Sequence, residues 1–335
     1  MKGLLIAGPC SAESEEQVLQ SAIQVRDAGI GLFRAGLWKP RTRPGGFEGV
    51  GEAGIGWLVA ARERTGLDVC TEAACAGHVR ICLDNGITTI WLGARTVADP
   101  FAVQDIADAL RAAGGCRRIL VKNPPSPDLE LWLGAIERLQ GCGEIVAVHR
   151  GFKGGGSGPY RNDPLWELAV EFRAGHPSIP LLCDPSHIAG TRELVPEIAQ
   201  RALDLGFDGL MIETHPNPSE ALSDSAQQLS PKELEALLAL LVERGNSGSD
   251  PVLEELRARL DAIDEQLLSV IAGRMEVCRN IGEVKKRGGL PIIQPGRWEE
   301  VIRKVESRAS ELGLDKAFAR RIFEILHAES VSNQE

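Results

Sequence analysis

Several features are missing from this chain of 335 residues, and each absence narrows what it can be. No run approaches the roughly eighteen apolar residues that cross a bilayer. The opening apolar stretch, residues 4–7, is too short for the core of a signal peptide. Pro9 stands before Cys10, where a lipoprotein cleavage site would want a small residue. The eight cysteines contain no Cys-x-x-Cys pair, which argues against a disulfide scaffold. No Gly-x-Gly-x-x-Gly follows the first apolar run, which lowers an open doubly wound dinucleotide fold. A net charge of −10 argues against nucleic acid as a partner. We expect a reduced, cytoplasmic protein without a membrane or nucleic-acid partner.

What is present is a rhythm. Short apolar, often β-branched runs recur at residues 3–8, 31–36, 67–72, 88–93, 118–122, 144–149, 180–184 and 209–213. Strands buried on both faces read this way. Helical patterns lie between them, the clearest at 14–29, 100–114, 127–140, 164–175, 192–206 and 230–245. Ser230, Pro231 and Glu233 spell a helix start with a capping box. Eight strands alternating with eight helices predict an α/β fold, a (β/α)8 TIM barrel.

The pattern then changes. The stretch GNSGSDP, 245–251, reads as a linker between a barrel at 1–244 and a helical domain at 252–335. A charged helical pattern follows from Pro251 to about Lys286, over ~50 Å of helix, too long to pack within one small domain. GGLPIIQPG, 288–296, breaks it, and two shorter helices follow at about 297–312 and 315–332. This predicts a small all-α domain that completes its core by dimerising.

Barrel enzymes place their chemistry at the C-terminal ends of the strands. Two groups of residues collect there. Arg34, Lys39, Arg41, Arg95, Lys122 and Arg150 would repel one another unless anions neutralise them, which predicts a site for phosphorylated, carboxylated small molecules. Cys10, His187, Glu213 and Asp224 mix thiolate, imidazole and carboxylate, a set suited to a divalent transition metal, although they lie far apart in sequence. Lys39, Glu72 and His215 are candidates for moving protons.

The segments AGPCSAES, FRAGLWKPRTRP, WLGART, VKNP, HRGF, CDPSHIAG and MIETHPNP…ALSDSAQQL, in that order, resemble 3-deoxy-D-arabino-heptulosonate 7-phosphate (DAHP) synthase of the type I β group. The resemblance implies a metal-dependent condensation of phosphoenolpyruvate with erythrose 4-phosphate. It implies Cys10, His187, Glu213 and Asp224 as metal ligands, for an ion of the Mn, Fe, Co or Zn class. It implies Arg34, Lys39, Arg95, Lys122 and Arg150 for phosphoenolpyruvate, with Lys39 and Lys122 catalytic, and Arg41 and Thr42 for the phosphate of erythrose 4-phosphate. The related 3-deoxy-octulosonate 8-phosphate synthases carry Ala-Asn-Arg after the lysine. Lys39-Pro40-Arg41-Thr42 here favours the four-carbon sugar. The regulatory domain that many type I β members carry ahead of the barrel is expected to be absent.

Residues 253–285 resemble the first helix of an AroQ-type chorismate mutase, and the likeness runs on to Gln334. It implies Arg257, Arg274, Lys285, Gln294, Arg297, Ser330 and Gln334 as the chorismate site, with Arg274, Lys285 and Gln334 catalytic. Arg274 and Lys285 are eleven apart and share a helix face, whereas Arg257 sits roughly 100° away and would serve the other chain of a homodimer. Trp298 stands where that family often has a glutamate facing the substrate hydroxyl, which implies a weaker mutase. Two readings of the tail follow: a second enzyme, and a sensor through which prephenate or chorismate inhibits the barrel.

Overall fold

The computed structural model describes residues 3–40, 45–154, 158–243, 251–293 and 295–333. They form two compact units, residues 1–245 and 246–335.

In the first unit eight parallel strands close into a barrel in sequence order. They are β1 (Leu4–Gly8), β2 (Leu32–Arg34), β3 (Asp68–Glu72), β4 (Thr89–Leu92), β5 (Arg118–Lys122), β6 (Glu144–His149), β7 (Leu181–Cys183) and β8 (Gly209–Glu213). The expected strands are all present: β5, β6 and β8 keep their expected bounds, and the other five are shorter by one to three residues. Helix starts follow local chemistry. The Ser230 capping box is formed on both sides, and Pro231 occupies the first turn. Two short helices not expected from the sequence, Ala94–Val97 and Pro185–Ala189, occupy loops at the strand ends and carry Arg95 and His187.

Side chains alternate across each strand, so the barrel has two cores. The larger lies between strands and helices, with Phe33, Val69, Ile90, Ile119, Val121, Ala147, Leu181 and Ile212 among its members. The smaller fills the barrel interior with Ile6, Leu32, Cys70, Trp91, Leu120, Val146, Val148, Leu182 and Met211. Two residues on from an interior residue, the same face reaches the C-terminal rim. Leu32 leads to Arg34, Cys70 to Glu72, Leu120 to Lys122, Val148 to Arg150, Leu182 to Asp184 and Met211 to Glu213. All six rim residues are buried, and each is polar. The period that packs the interior therefore also builds the site.

His149 points outward from β6 into the larger core, among Phe152, Trp166 and Phe207. Neither ring nitrogen has an aligned hydrogen bond, and burial lowers its pKa to about 4, against a small opposing effect of the Pro164 carbonyl. A group whose folded pKa is depressed in this way prefers the neutral ring. Its contribution is complete above about pH 6.5 and is lost as pH falls toward 4, by about 3 kcal/mol in all. Urea midpoints of the barrel should fall over that window, and His149→Phe should flatten the fall.

The second unit is a helix of 37 residues, Pro251–Arg287, followed by Pro295–Glu311 and Lys316–Ser332. The last two pack together, joined by Arg320 and Glu306 at 2.8 Å. The long helix meets Lys316–Ser332 through its second half, where Met275 and Cys278 are buried. Its first half carries Leu256, Leu260, Ile263, Leu267 and Val270 at coiled-coil spacing, each more than half exposed.

Candidate active site

A cavity of about 270 Å³ opens at the C-terminal rim. Its lining brings together six cations, Lys39, Arg95, Lys122, Arg150, Lys153 and Arg161, with only two carboxylates, Glu72 and Asp224. Cys10, His187, Asn162 and Trp91 complete the chemistry of the wall.

Trp91 is the floor. Arg34 Cζ lies 4.8 Å from its ring centroid, and the Lys39 and Lys122 ammonium groups lie 5.9 Å from it. The negative ring face offsets part of the repulsion among these cations. Their other partners are anions at the cavity edge. Lys122 Nζ is 2.7 Å from Asp184 Oδ2, and Arg34 Nη2 donates to Glu213 Oε1 at 3.0 Å. Lys39 Nζ is 4.0 Å from Glu72 Oε2. Lys39 can fold back this closely because residue 36 is glycine. A Cβ there would lie 2.4 Å from Lys39 Nζ and 2.6 Å from the Cys10 carbonyl oxygen. Arg34 is fully enclosed, yet its Nε and Nη1 have no protein partner among the described residues. Arg150 is tied to the Asn162 side chain at 3.1 Å, and burial lowers it to about 10, so it remains cationic at neutral pH. Arg95 donates to the Pro40 carbonyl at 3.0 Å.

The second group also converges. Ligand atoms of Cys10, Glu213 and Asp224 all lie within 4.8 Å of one another. The Cys10 thiol donates to Asp224 Oδ2 across 3.4 Å. His187 joins them, with Nε2 3.9 Å from Asp224 Oδ2 and Nδ1 3.8 Å from Glu213 Oε1. His187 Nδ1 also lies 2.8 Å from Asp184 Oδ2, though without hydrogen-bond alignment. Asp184 starts the short helix that carries His187, its Oδ1 accepting from the His187 backbone N–H at 3.0 Å. Asp224 adopts a φ of 47°, a backbone strain of the kind that collects at functional sites.

The electrostatics of this cluster suit a cation. Burial and Glu213 push the Cys10 thiol up to about 12, against Lys39. Burial lowers His187, keeping its ring neutral against the pull of Asp184. Burial, the largest single effect, would raise Glu213 and Asp224, but the surrounding cations together outweigh it as these carboxylates titrate, a protonated His187 with Arg34 at the first and with Arg161 at the second. The result is one thiol, one neutral imidazole and two carboxylates. That set fits a divalent ion of intermediate softness, and such an ion would displace the thiol proton.

Arg41, Thr42, Gln294 and Gln334 lie outside the described residues. In the helical unit, Arg274 donates to the Ser330 hydroxyl and to the Leu326 carbonyl, the latter at 3.0 Å. Lys285 Nζ donates to the Ile292 carbonyl at 2.6 Å. Arg257 and Arg297 are not brought to Arg274. Each is 62% exposed and pairs locally, with Glu254 and Glu300 respectively. Trp298 lies flat on His327, with ring centroids 4.1 Å apart. Burial lowers the His327 pKa, with Arg274 and Lys285 acting in the same direction.

Sequence reasoning missed Trp91, Lys153, Arg161 and Asn162. Trp91 read as one more apolar strand residue. The other three sit in the glycine-rich stretch after β6, where no periodicity marks which residues turn inward.

Residues 1–248 match the family model described as DAHP synthetase I family, and residues 256–335 match that of chorismate mutase type II. The chain is 30% identical over 227 residues to phospho-2-dehydro-3-deoxyheptonate aldolase of Thermotoga maritima, covering 67% of this chain and 64% of that one. It thus spans slightly under two thirds of that relative's length. It is 29% identical over 260 residues to 2-dehydro-3-deoxyphosphooctonate aldolase of Acidithiobacillus ferrooxidans, covering 71% of this chain and 87% of that one. Its tail is 37% identical over 84 residues to 4-amino-4-deoxychorismate mutase of Streptomyces pristinaespiralis, covering 25% of this chain and 64% of that one. A crystal structure of the Thermotoga maritima aldolase superposes with a TM-score of 0.63 at 29% identity, covering 71% of this chain and 67% of that one.

Proposed function

The chain belongs to the DAHP synthetase I family, and from that premise we propose that its barrel condenses phosphoenolpyruvate with erythrose 4-phosphate and water to DAHP and phosphate. The observation that carries this is the cavity, with six cations facing two carboxylates beside the Cys10, His187, Glu213 and Asp224 cluster. Two anionic substrates meet there only if their charge is neutralised. Lys122, Arg95 and Arg150 take the phosphate and carboxylate of phosphoenolpyruvate, with Arg34 behind them. Arg41 and Thr42 take the phosphate of the sugar. Carbon 3 of phosphoenolpyruvate attacks the aldehyde, water adds at carbon 2, and the C–O bond to phosphate breaks. A divalent ion held by Cys10, His187, Glu213 and Asp224 supplies Lewis-acid polarisation of an oxygen. Lys39 delivers the proton to the new hydroxyl, since it and Glu72 line the cavity whereas His215 does not and faces Glu13 at 3.5 Å.

The test follows phosphoenolpyruvate consumption by its ultraviolet absorbance. Erythrose 4-phosphate should start the reaction, EDTA should stop it, and added Mn should restore it. A rate with arabinose 5-phosphate alone would assign the barrel to the octulosonate reaction.

We further propose that the helical domain, bounded by a linker at 245–251, rearranges chorismate to prephenate. Arg274, Lys285 and Ser330 would hold the diacid as a compact conformer, with Gln294 and Gln334, Arg297 would have to leave Glu300 to join them, and Lys285 or Gln334 would face the ether oxygen. Arg257 of a second copy would complete the site. The exposed Leu256–Leu260–Ile263–Leu267–Val270 stripe supports a homodimer, and sedimentation should give twice the chain mass. The Trp298–His327 stack favours a second reading, a weakly active tail that senses prephenate or chorismate. A synthase rate unchanged by saturating prephenate and by saturating chorismate, each while bound to the protein, would remove that reading.

A further inference from the structure

We infer that Gln227 and Arg161 form a clamp that holds the ligand carboxylates Glu213 and Asp224 in place for the divalent ion. This rests on the metal reading above and assigns two positioning residues to it.

Gln227 and Gln228 are consecutive and fully buried, and their side chains do different jobs. Gln228 accepts from the Cys10 backbone N–H at 2.9 Å and donates to the Ser223 carbonyl at 2.8 Å, fixing the two segments that carry Cys10 and Asp224. Gln227 reaches the ligands' own side chains. Its Nε2 donates to Glu213 Oε2 at 2.6 Å, and its Oε1 accepts from Arg161 Nη1 at 2.6 Å. The same Nη1 donates to Asp224 Oδ1 at 3.0 Å. One amide and one guanidinium therefore tie back one oxygen of each carboxylate. Asp224 Oδ2 is left facing Cys10 Sγ and His187 Nε2. The amide has only one workable orientation, because a flip would set its carbonyl against the Glu213 carboxylate and its NH2 against the guanidinium.

The clamp also reaches the fourth ligand through the backbone. Arg161 N–H donates to the Ile188 carbonyl at 3.0 Å, one residue beyond His187. This approach needs Gly190, since a Cβ there would lie 2.4 Å from Arg161 Cβ. The Gln227 backbone N–H donates to the Asp224 carbonyl at 3.2 Å, closing the turn that keeps Asp224 at positive φ. Partners of this kind orient metal ligands, and their loss typically weakens metal affinity about 10–100-fold.

The test titrates the metal-free full-length protein with Mn²⁺ alone and reads the dissociation constant by calorimetry. Gln227→Met and Arg161→Met should each weaken binding about 10–100-fold. Arg161→Lys, which keeps a donor and a charge, should recover most of the loss. The double variant should lose less than the product of the single effects, because the two residues act as one unit. The Arg161 side chain is 46% exposed, so Arg161→Met should fold and can decide the matter even if Gln227→Met does not. Affinity within about twofold of the parent in Arg161→Met overturns the clamp, taking calorimetric scatter as well below the effect expected of a positioning partner. A parent chain that binds no divalent ion overturns the metal reading and the clamp with it.

Discussion

Cys10→Ala should lower the synthase rate by about three orders of magnitude without unfolding the barrel. The thiol is small, and its removal leaves the backbone N–H of residue 10 held by Gln228. On the proposed reading, what is lost is a metal ligand. Lewis-acid stabilisation of developing charge is worth several kcal/mol, and about 4 kcal/mol corresponds to roughly a thousandfold in rate. The high pKa of this thiol adds a pH signature. Metal must displace a proton from a group near 12 when the site is empty, so the Mn²⁺ dissociation constant should rise as pH falls. Steady-state rates of both proteins across a Mn²⁺ titration, with metal content measured in parallel, give the check. A Cys10→Ala protein that keeps more than a tenth of the parent rate at matched metal occupancy would remove Cys10 from the ligand set.

The second large effect is expected in the helical unit. Arg274→Ala should lower mutase kcat/KM by roughly a hundred- to a thousandfold, the range seen when one preorganised charge-stabilising donor is removed. Arg274 is preorganised here, held by the Ser330 hydroxyl and the Leu326 carbonyl on the facing helix. Ser330→Ala should cost much less, because it removes one tether and leaves the charge. Loss of chorismate absorbance reads both variants. Equal, small effects would mean that Arg274 is a structural bridge between helices. The synthase rate of Arg274→Ala, measured with and without prephenate, then reports whether occupancy of the tail reaches the barrel.

Most of the barrel was legible because its period is short and repeated. Each strand is a run of apolar residues, and each rim residue follows at a fixed step, so Arg34, Glu72, Lys122, Arg150 and Glu213 could be picked out from sequence. Cys10, His187 and Asp224 were harder. They lie beyond the strands, and only closure of β8 onto β1 brings Asp224 to Cys10. Arg161 and Gln227 left no signal. An arginine in a glycine-rich loop and one of two adjacent glutamines are ordinary surface residues until the fold encloses them. The tail shows the same division. Arg274 and Lys285 share a face by arithmetic, whereas the Trp298–His327 stack joins two helices and depends on packing that periodicity does not describe.

The two-residue step between interior and rim makes the strands intolerant of a change that loops absorb. Inserting one residue into β5 would push Lys122 one step on, toward the helices, and bring Val121 to the cavity, moving a cation into oil and a hydrocarbon onto the anion site in one event. New substrates can therefore arise by lengthening or rewriting the connections, while the strands behave like a reading frame, in which single-residue insertions are lethal and substitutions are negotiable.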